Sequence, residues 1–210
     1  MKVVGAWLSA APTQAVCAAL ADAGFAVLFV GGCVRNALLG LAVGDIDLAT
    51  DATPETITML AENAGFRVVP TGIDHGTVTV LAEGLAHEVT TFRSDIATDG
   101  RHATVVFSAS VAEDAARRDF TMNALYATPQ GDVIDPLGGL PDLLARVVRF
   151  VGDPAERIRE DYLRILRFFR FYAVYGDSAQ GLDADSLAAC AAHADGIDTL
   201  SRERVGAEMR

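Results

Sequence analysis

Lysine is nearly absent from this chain of 210 residues, occurring once, at Lys2. The formal net charge is −11 and the sequence pI about 4.7, which excludes a broadly basic surface for gripping nucleic acid. Cysteine is scarce as well: Cys17, Cys33 and Cys190 are odd in number and far apart. They form no disulfide framework and no zinc pattern, and His75, His87, His102 and His193 add no metal-ligand spacing. That usage points to a reducing compartment, the cytoplasm. Long apolar runs are missing too. Residues 26–30 and 147–151 are far too short to cross a bilayer, and no apolar run ending in a small-residue cleavage site follows Lys2. No membrane partner is therefore expected.

What remains is an apolar, foldable chain, with 51% hydrophobic and 21% charged residues. Its length allows one large domain, or one domain and a smaller companion. Sixteen of the 17 basic residues are arginine, and seven of them fall between Arg146 and Arg170. A coding bias toward arginine accounts for the composition but not for this clustering. Arginine suits bidentate contacts to phosphates and base edges.

Apolar spacing predicts a helix over 12–23 that stops at Gly24, then a buried strand over 26–30. Gly31-Gly32 leads into a short helix over 34–39, and a second strand follows at 46–49. Thr53-Pro54 opens a helix closed by Gly65. Residues 77–81 and 87–92 read as strands around a Glu83-Gly84 turn. Residues 93–102, polar and holding Asp95, Asp99, Gly100 and Arg101, read as a mobile loop. Residues 111–117 and 120–124 look helical, and 126–128 and 133–134 form a hairpin about Gln130-Gly131. From 156 to 175 one long helix is expected, and 183–210 is all helical. The pattern changes near residue 150, from α/β to purely α.

The segment richest in chemistry is Gly31-Gly-Cys-Val-Arg35-Asn-Ala-Leu-Leu-Gly, followed by Asp45-Ile-Asp47. Side chains two apart on a strand share a face, so Asp45 and Asp47 aim their carboxylates together while Ile46 faces the core. Two adjacent carboxylates repel unless a cation sits between them, and magnesium favours carboxylates with phosphates and water. The glycines let backbone N–H groups approach an anion, and Arg35 offers a further charge. A lone DxD is more often a solvated turn, and a lone Gly-Gly says less still. The strand–turn–helix–strand order makes the combination specific.

At these residues the chain resembles the class II tRNA nucleotidyltransferase (CCA-adding) and bacterial poly(A) polymerase family, within the DNA polymerase beta superfamily. Residues 31–47 are similar to its first motif. The likeness continues through 77–93, Arg117-Arg118-Asp119-Phe-Thr-Met-Asn123, Asp135-Pro-Leu-Gly-Gly-Leu-Pro-Asp142, Glu160-Asp161-Tyr-Leu-Arg164-Ile-Leu-Arg167-Phe-Phe-Arg170, and Leu200-Ser-Arg-Glu-Arg204. Position 36 departs, holding Asn where many members carry Asp.

The resemblance implies an α+β fold: a mixed-sheet, polymerase beta-like nucleotidyltransferase head over 1–150, then an all-α neck over 151–210. It also implies that the chain stops short of the family's helical body and tail. Asp45 and Asp47 would hold Mg2+, with Glu88 a candidate third carboxylate. Gly31, Gly32, Arg35, Arg118, Asp119, Arg167 and Arg170 would bind nucleotide. Asp161 and Arg164, read as neighbours on one helix surface, would select the base. Cytosine and adenine both set an exocyclic amine beside a ring-nitrogen acceptor; guanine and uracil put a carbonyl where the amine should be. The implied partners are CTP, ATP and the tRNA 3′ end. The expected activity is template-independent CCA addition with release of pyrophosphate. Poly(A) synthesis, CC- or A-only addition, and an idle RNA-binding fragment are the alternatives. The oligomeric state is left open.

Overall fold

The computed structural model describes residues 1–99 and 102–209. It divides into two compact units: Met1–Arg117 with Asn123–Pro136, and Arg118–Met122 with Leu137–Arg210. The boundary read near residue 150 falls inside the second unit.

The first unit runs α1 (Ala6–Ser9), α2 (Ala11–Ala21), β1 (Val27–Val30), α3 (Gly32–Leu38), β2 (Ile46–Thr50), α4 (Pro54–Asn63), β3 (Arg67–Gly72), β4 (Thr77–Ala82), β5 (Leu85–Thr91), β6 (Arg93–Asp99), β7 (His102–Phe107), α5 (Val111–Ala116), β8 (Tyr126–Ala127) and β9 (Val133–Ile134). Seven strands form one mixed sheet in the order β3-β4-β5-β2-β1-β8-β9. Only the β2–β5 pairing is parallel; the other pairings are antiparallel. Local chemistry sets the ends of these elements. Thr53 accepts a hydrogen bond from the Thr56 N–H at the start of α4, where Pro54 occupies the first turn. Glu83 and Gly84 both take positive φ, 48° and 84°, the turn that a right-twisted hairpin favours. Gly131 must be glycine, because a Cβ there would collide with the Val3 carbonyl.

The sheet has unlike faces. Ile46 and Leu48 of β2 stand level with His87 and Val89 of β5, all buried, and Val78 and Val80 continue the row. Thr13 of α2 lies 3.0 Å from His87 Nε2, which places α2 on this apolar face. Val16, Leu20 and Ile57 fill the core with them. Asp47 and Glu88, paired in the same register, therefore occupy the opposite face.

Two expectations for residues before 125 fail. Residues 93–99 and 102–107 pair as an antiparallel hairpin, not a structureless loop; Gly100 and Arg101 lie outside the described residues. Residues 120–124 hold only a single 3₁₀ turn, Thr121–Asn123, because Phe120 bridges Phe150 instead of continuing a helix.

The second unit adds α6 (Leu140–Leu144), α7 (Pro154–Glu160), α8 (Leu163–Tyr175), α9 (Ala184–Ala192) and α10 (Arg202–Glu208). Its core is aromatic: Phe120 packs on Phe150 and Phe171 with ring centroids 4.9 and 5.0 Å away, and Phe168 stacks on Phe150 at 5.7 Å. The single helix read over 156–175 is broken. Asp161 has extended backbone, φ −158° and ψ 106°, between α7 and α8. Its carboxylate accepts the Leu163 N–H at 3.1 Å, a local bond that competes with helix continuation. Among the described residues no helix is long and apolar enough to cross a membrane.

Candidate active site

In the first unit, β1 is buried throughout and ends at Gly31, whose φ of 68° and ψ of −122° L side chains rarely adopt. Gly32 opens α3 with ordinary backbone, and a Cβ there would meet only Arg35 Nη2 at 3.7 Å. The backbone therefore favours glycine at the first position, whereas at the second a Cβ would make only an ordinary contact with Arg35.

Asp45 lies at a bend just before β2 and is exposed; Asp47, on the strand, is half-buried. Ile46 between them is 6% exposed, so Asp47 next to it on the strand faces away from the core, while Asp45 stands outside the strand, where the alternation does not reach. The Cys33 thiol donates to Val30 O at 3.3 Å and lies 3.7 Å from Asp47 O, behind the glycine turn. Burial pushes it up to about 11, so it is inert as a nucleophile. Glu88 is exposed and stands level with Asp47 on the neighbouring strand. Among the described residues, however, no three His, Cys, Asp or Glu side chains gather as a ready-made metal site, so the three-carboxylate cluster is not formed. Two carboxylates still fit magnesium, which keeps water and substrate phosphates for most of its shell.

Arg35 differs from its expected role. It is 7% exposed and donates through Nε and Nη2 to Asn36 Oδ1, at 3.1 and 3.0 Å, and through Nη1 to Asn123 Oδ1. Asn36 in turn donates to Ala42 O at 2.9 Å. Arg35 and the unusual Asn36 thus brace the chain leading into Asp45, and the guanidinium is not held out toward an anion.

In the second unit, the expected nucleotide-binding residues are linked to one another. Arg118 is half-buried beside Asp119. Asp119 is followed by a single 3₁₀ turn. Its Oδ1 accepts the Phe120 N–H at 2.8 Å, and its Oδ2 accepts Arg167 Nε and Nη2 at 2.9 and 2.6 Å. Burial pulls the Arg167 guanidinium down, but Asp119 and then Glu208 more than offset this and hold it above its ordinary value. Arg170 donates to Glu208 Oε1 at 2.5 Å.

Asp161 and Arg164 are not neighbours on one helix surface, since Asp161 sits in the break. Asp161 accepts Arg204 Nη2 at 2.7 Å, while Arg164 Nη1 donates to Glu160 Oε2 at 2.5 Å and to Arg157 O at 2.8 Å. Sequence reasoning missed the pairing of Glu208 with Arg167 and Arg170 and that of Arg204 with Asp161. Acidic and basic residues on a short terminal helix read as solvated surface, and their partners lie about 40 residues upstream. It also gave no role to Asp142, whose carboxylate ties Thr121 Oγ1 and Arg149 Nη1, both at 2.8 Å.

Known proteins are similar to this chain over most of its length. The human mitochondrial CCA tRNA nucleotidyltransferase 1 (Homo sapiens) is 42% identical over 181 residues, 86% of this chain and 42% of that protein. The CCA-adding enzyme of Levilactobacillus brevis is 44% identical over 190 residues, 90% of this chain and 46% of that protein. The crystal structure of the Bacillus stearothermophilus CCA-adding enzyme in complex with CTP superposes with a TM-score of 0.83 at 38% identity, covering 95% of this chain and 48% of that one. The chain thus spans about half the length of the curated relatives it matches. The family described as the poly A polymerase head domain matches residues 27–149. On that match, and on the mixed sheet that carries it, the chain belongs to the poly A polymerase head domain family.

Proposed function

We propose that this chain carries the catalytic and base-selecting parts of a template-independent tRNA nucleotidyltransferase that adds CMP and AMP, from CTP and ATP, to the tRNA 3′ end. The observation that carries the reading is the placement of Asp47 on the polar side of β2, with Asp45 exposed at the bend just before it and the Gly31-Gly32 turn between β1 and α3. The names of the relatives agree with it, as does a tRNA nucleotidyltransferase structure complexed with a primer tRNA and an incoming ATP analog, 29% identical with a TM-score of 0.71.

Asp45 and Asp47 would hold Mg2+, which when bound lowers the proton affinity of the attacking RNA hydroxyl and offsets charge on the departing pyrophosphate. The open backbone at Gly31-Gly32 lets phosphates come close without a side chain intervening. Glu88, level with Asp47, adds negative charge to the same face. Asp161 would accept the exocyclic amine of cytosine or adenine, while Arg164 donates to the adjacent ring nitrogen. Arg204 and Glu160 orient these two groups. UTP and GTP would set a carbonyl against the Asp161 carboxylate and leave buried polar groups unpaired.

The test is incubation with magnesium, tRNA lacking its 3′ CCA, and the four nucleoside triphosphates supplied singly and then in pairs. CMP incorporation from CTP, followed by AMP once ATP is added, supports the proposal. A long A-only ladder would replace it with poly(A) synthesis, and no incorporation would refute it.

A further inference from the structure

Two arginines of α8 are held in different ways. Arg167 is committed at three nitrogens, with Nε and Nη2 on Asp119 and Nη1 reaching Glu208 Oε2 at 3.5 Å. Arg170 gives only Nε, to Glu208 Oε1. Its Nη1 and Nη2 have no protein partner among the described residues, and its side chain is 39% exposed. Both guanidiniums lie over the Phe171 ring, at 5.5 and 5.0 Å from its centroid.

Glu208 ends α10 and its side chain is only 7% exposed. Helix stability does not favour a carboxylate in a last turn, where the dipole prefers a cation. Burial of a carboxylate is costly unless it is paired. Both costs are offset by the same partners, Arg170 on one oxygen and Arg167 on the other. The result is a fixed geometry: Arg170 is gripped at Nε with its guanidinium over the Phe171 ring, which leaves its two terminal nitrogens as a fork. A fork ordered in advance loses little freedom when an anion arrives, and its spacing matches phosphate oxygens.

We propose that Glu208 is a positioning residue that fixes Arg170, and not Arg167, as the fork for the phosphates of the incoming nucleotide. Arg167 serves instead as an internal tie between Asp119 and Glu208. The inference rests on the nucleotidyltransferase reading above and deepens it.

The experiment uses the full chain, with CTP and inorganic tripolyphosphate as probes, and the variants Glu208→Ala, Glu208→Gln, Arg170→Ala and the Glu208→Ala/Arg170→Ala pair. Glu208→Ala is expected to weaken tripolyphosphate binding and raise the KM for CTP by roughly tenfold, with kcat changed less than about twofold. Glu208→Gln, whose amide oxygen still accepts from Arg170 Nε, recovers most of the loss. In the Arg170→Ala background, Glu208→Ala adds nothing further. Undiminished phosphate binding in folded Glu208→Ala, failure of Glu208→Gln to recover it, or additive losses in the pair would overturn the proposal. Wild-type protein that incorporates no nucleotide overturns the underlying reading instead, so the two failures are separable.

Discussion

Asp161 holds its position through competition between two kinds of bond. Its carboxylate takes a backbone N–H that a continuous helix would have used differently, and in doing so presents its second oxygen to Arg204. Asp161→Ala is expected to narrow the preference for CTP over UTP by roughly 10- to 100-fold in kcat/KM. Selectivity that stays at the wild-type level would remove Asp161 from base reading. His87 is another residue whose surroundings fix its chemistry. It is fully buried, with Nδ1 3.4 Å from Val80 O and Nε2 3.0 Å from Thr13 Oγ1. A carbonyl can only accept, so Nδ1 carries the hydrogen and neutral Nε2 accepts from Thr13. Burial, opposed by the Val80 carbonyl, holds His87 below its ordinary 6.5. The unfolded chain then binds a proton that the folded one refuses. The stability from neutral His87 is complete above 6.5 and declines as the pH falls toward the depressed folded value, by at most about 1.4 kcal/mol per pH unit. Urea unfolding at pH 7.5 and 5.5 should show a smaller pH dependence for His87→Gln than for wild type; equal slopes would contradict it.

At the scale of elements, legibility followed the range of the forces. Thr53-Pro54 and the Glu83-Gly84 turn were readable because each is decided by neighbouring residues. The alternation around Ile46 was readable because burial of one face imposes a period of two. The break between α7 and α8 was not, since apolar spacing persists across it and only the side-chain bond of Asp161 stops the helix. Nor was the bracing role of Arg35, whose partner Asn123 is 88 positions away. The hairpin of β6 and β7 was not legible because the polar residues of β6 resemble those of an exposed loop. Next to the α7–α8 break a glycine has a purely steric reason: a Cβ on Gly196 would overlap the Tyr162 ring at the start of α8. Gly196→Ala is expected to cost about 1–3 kcal/mol and lower the thermal midpoint by several degrees. A midpoint equal to wild type would show that the ring has room to move.

Over the whole molecule, the acidic net charge and the basic helix are compatible once pairing is followed residue by residue. In the second unit Asp119, Glu160, Asp161 and Glu208 each hold an arginine, so the arginine cluster is ordered without making the surface basic. In the first unit Asp114 does similar work. Only 1% exposed, it accepts from Arg117 and from Tyr126 Oη, and ties α5 to β8. Charge is used here for internal order, and the acids proposed to hold the metal lie on and beside the polar strip of β2. That strip is most directly tested by single-turnover addition of CMP to tRNA lacking its 3′ CCA, comparing wild type with Asp47→Asn at saturating magnesium. Wild type should add CMP, and the variant, folded and with an unaltered thermal midpoint, should be about a thousandfold slower or worse. Turnover by Asp47→Asn within tenfold of wild type would contradict the account.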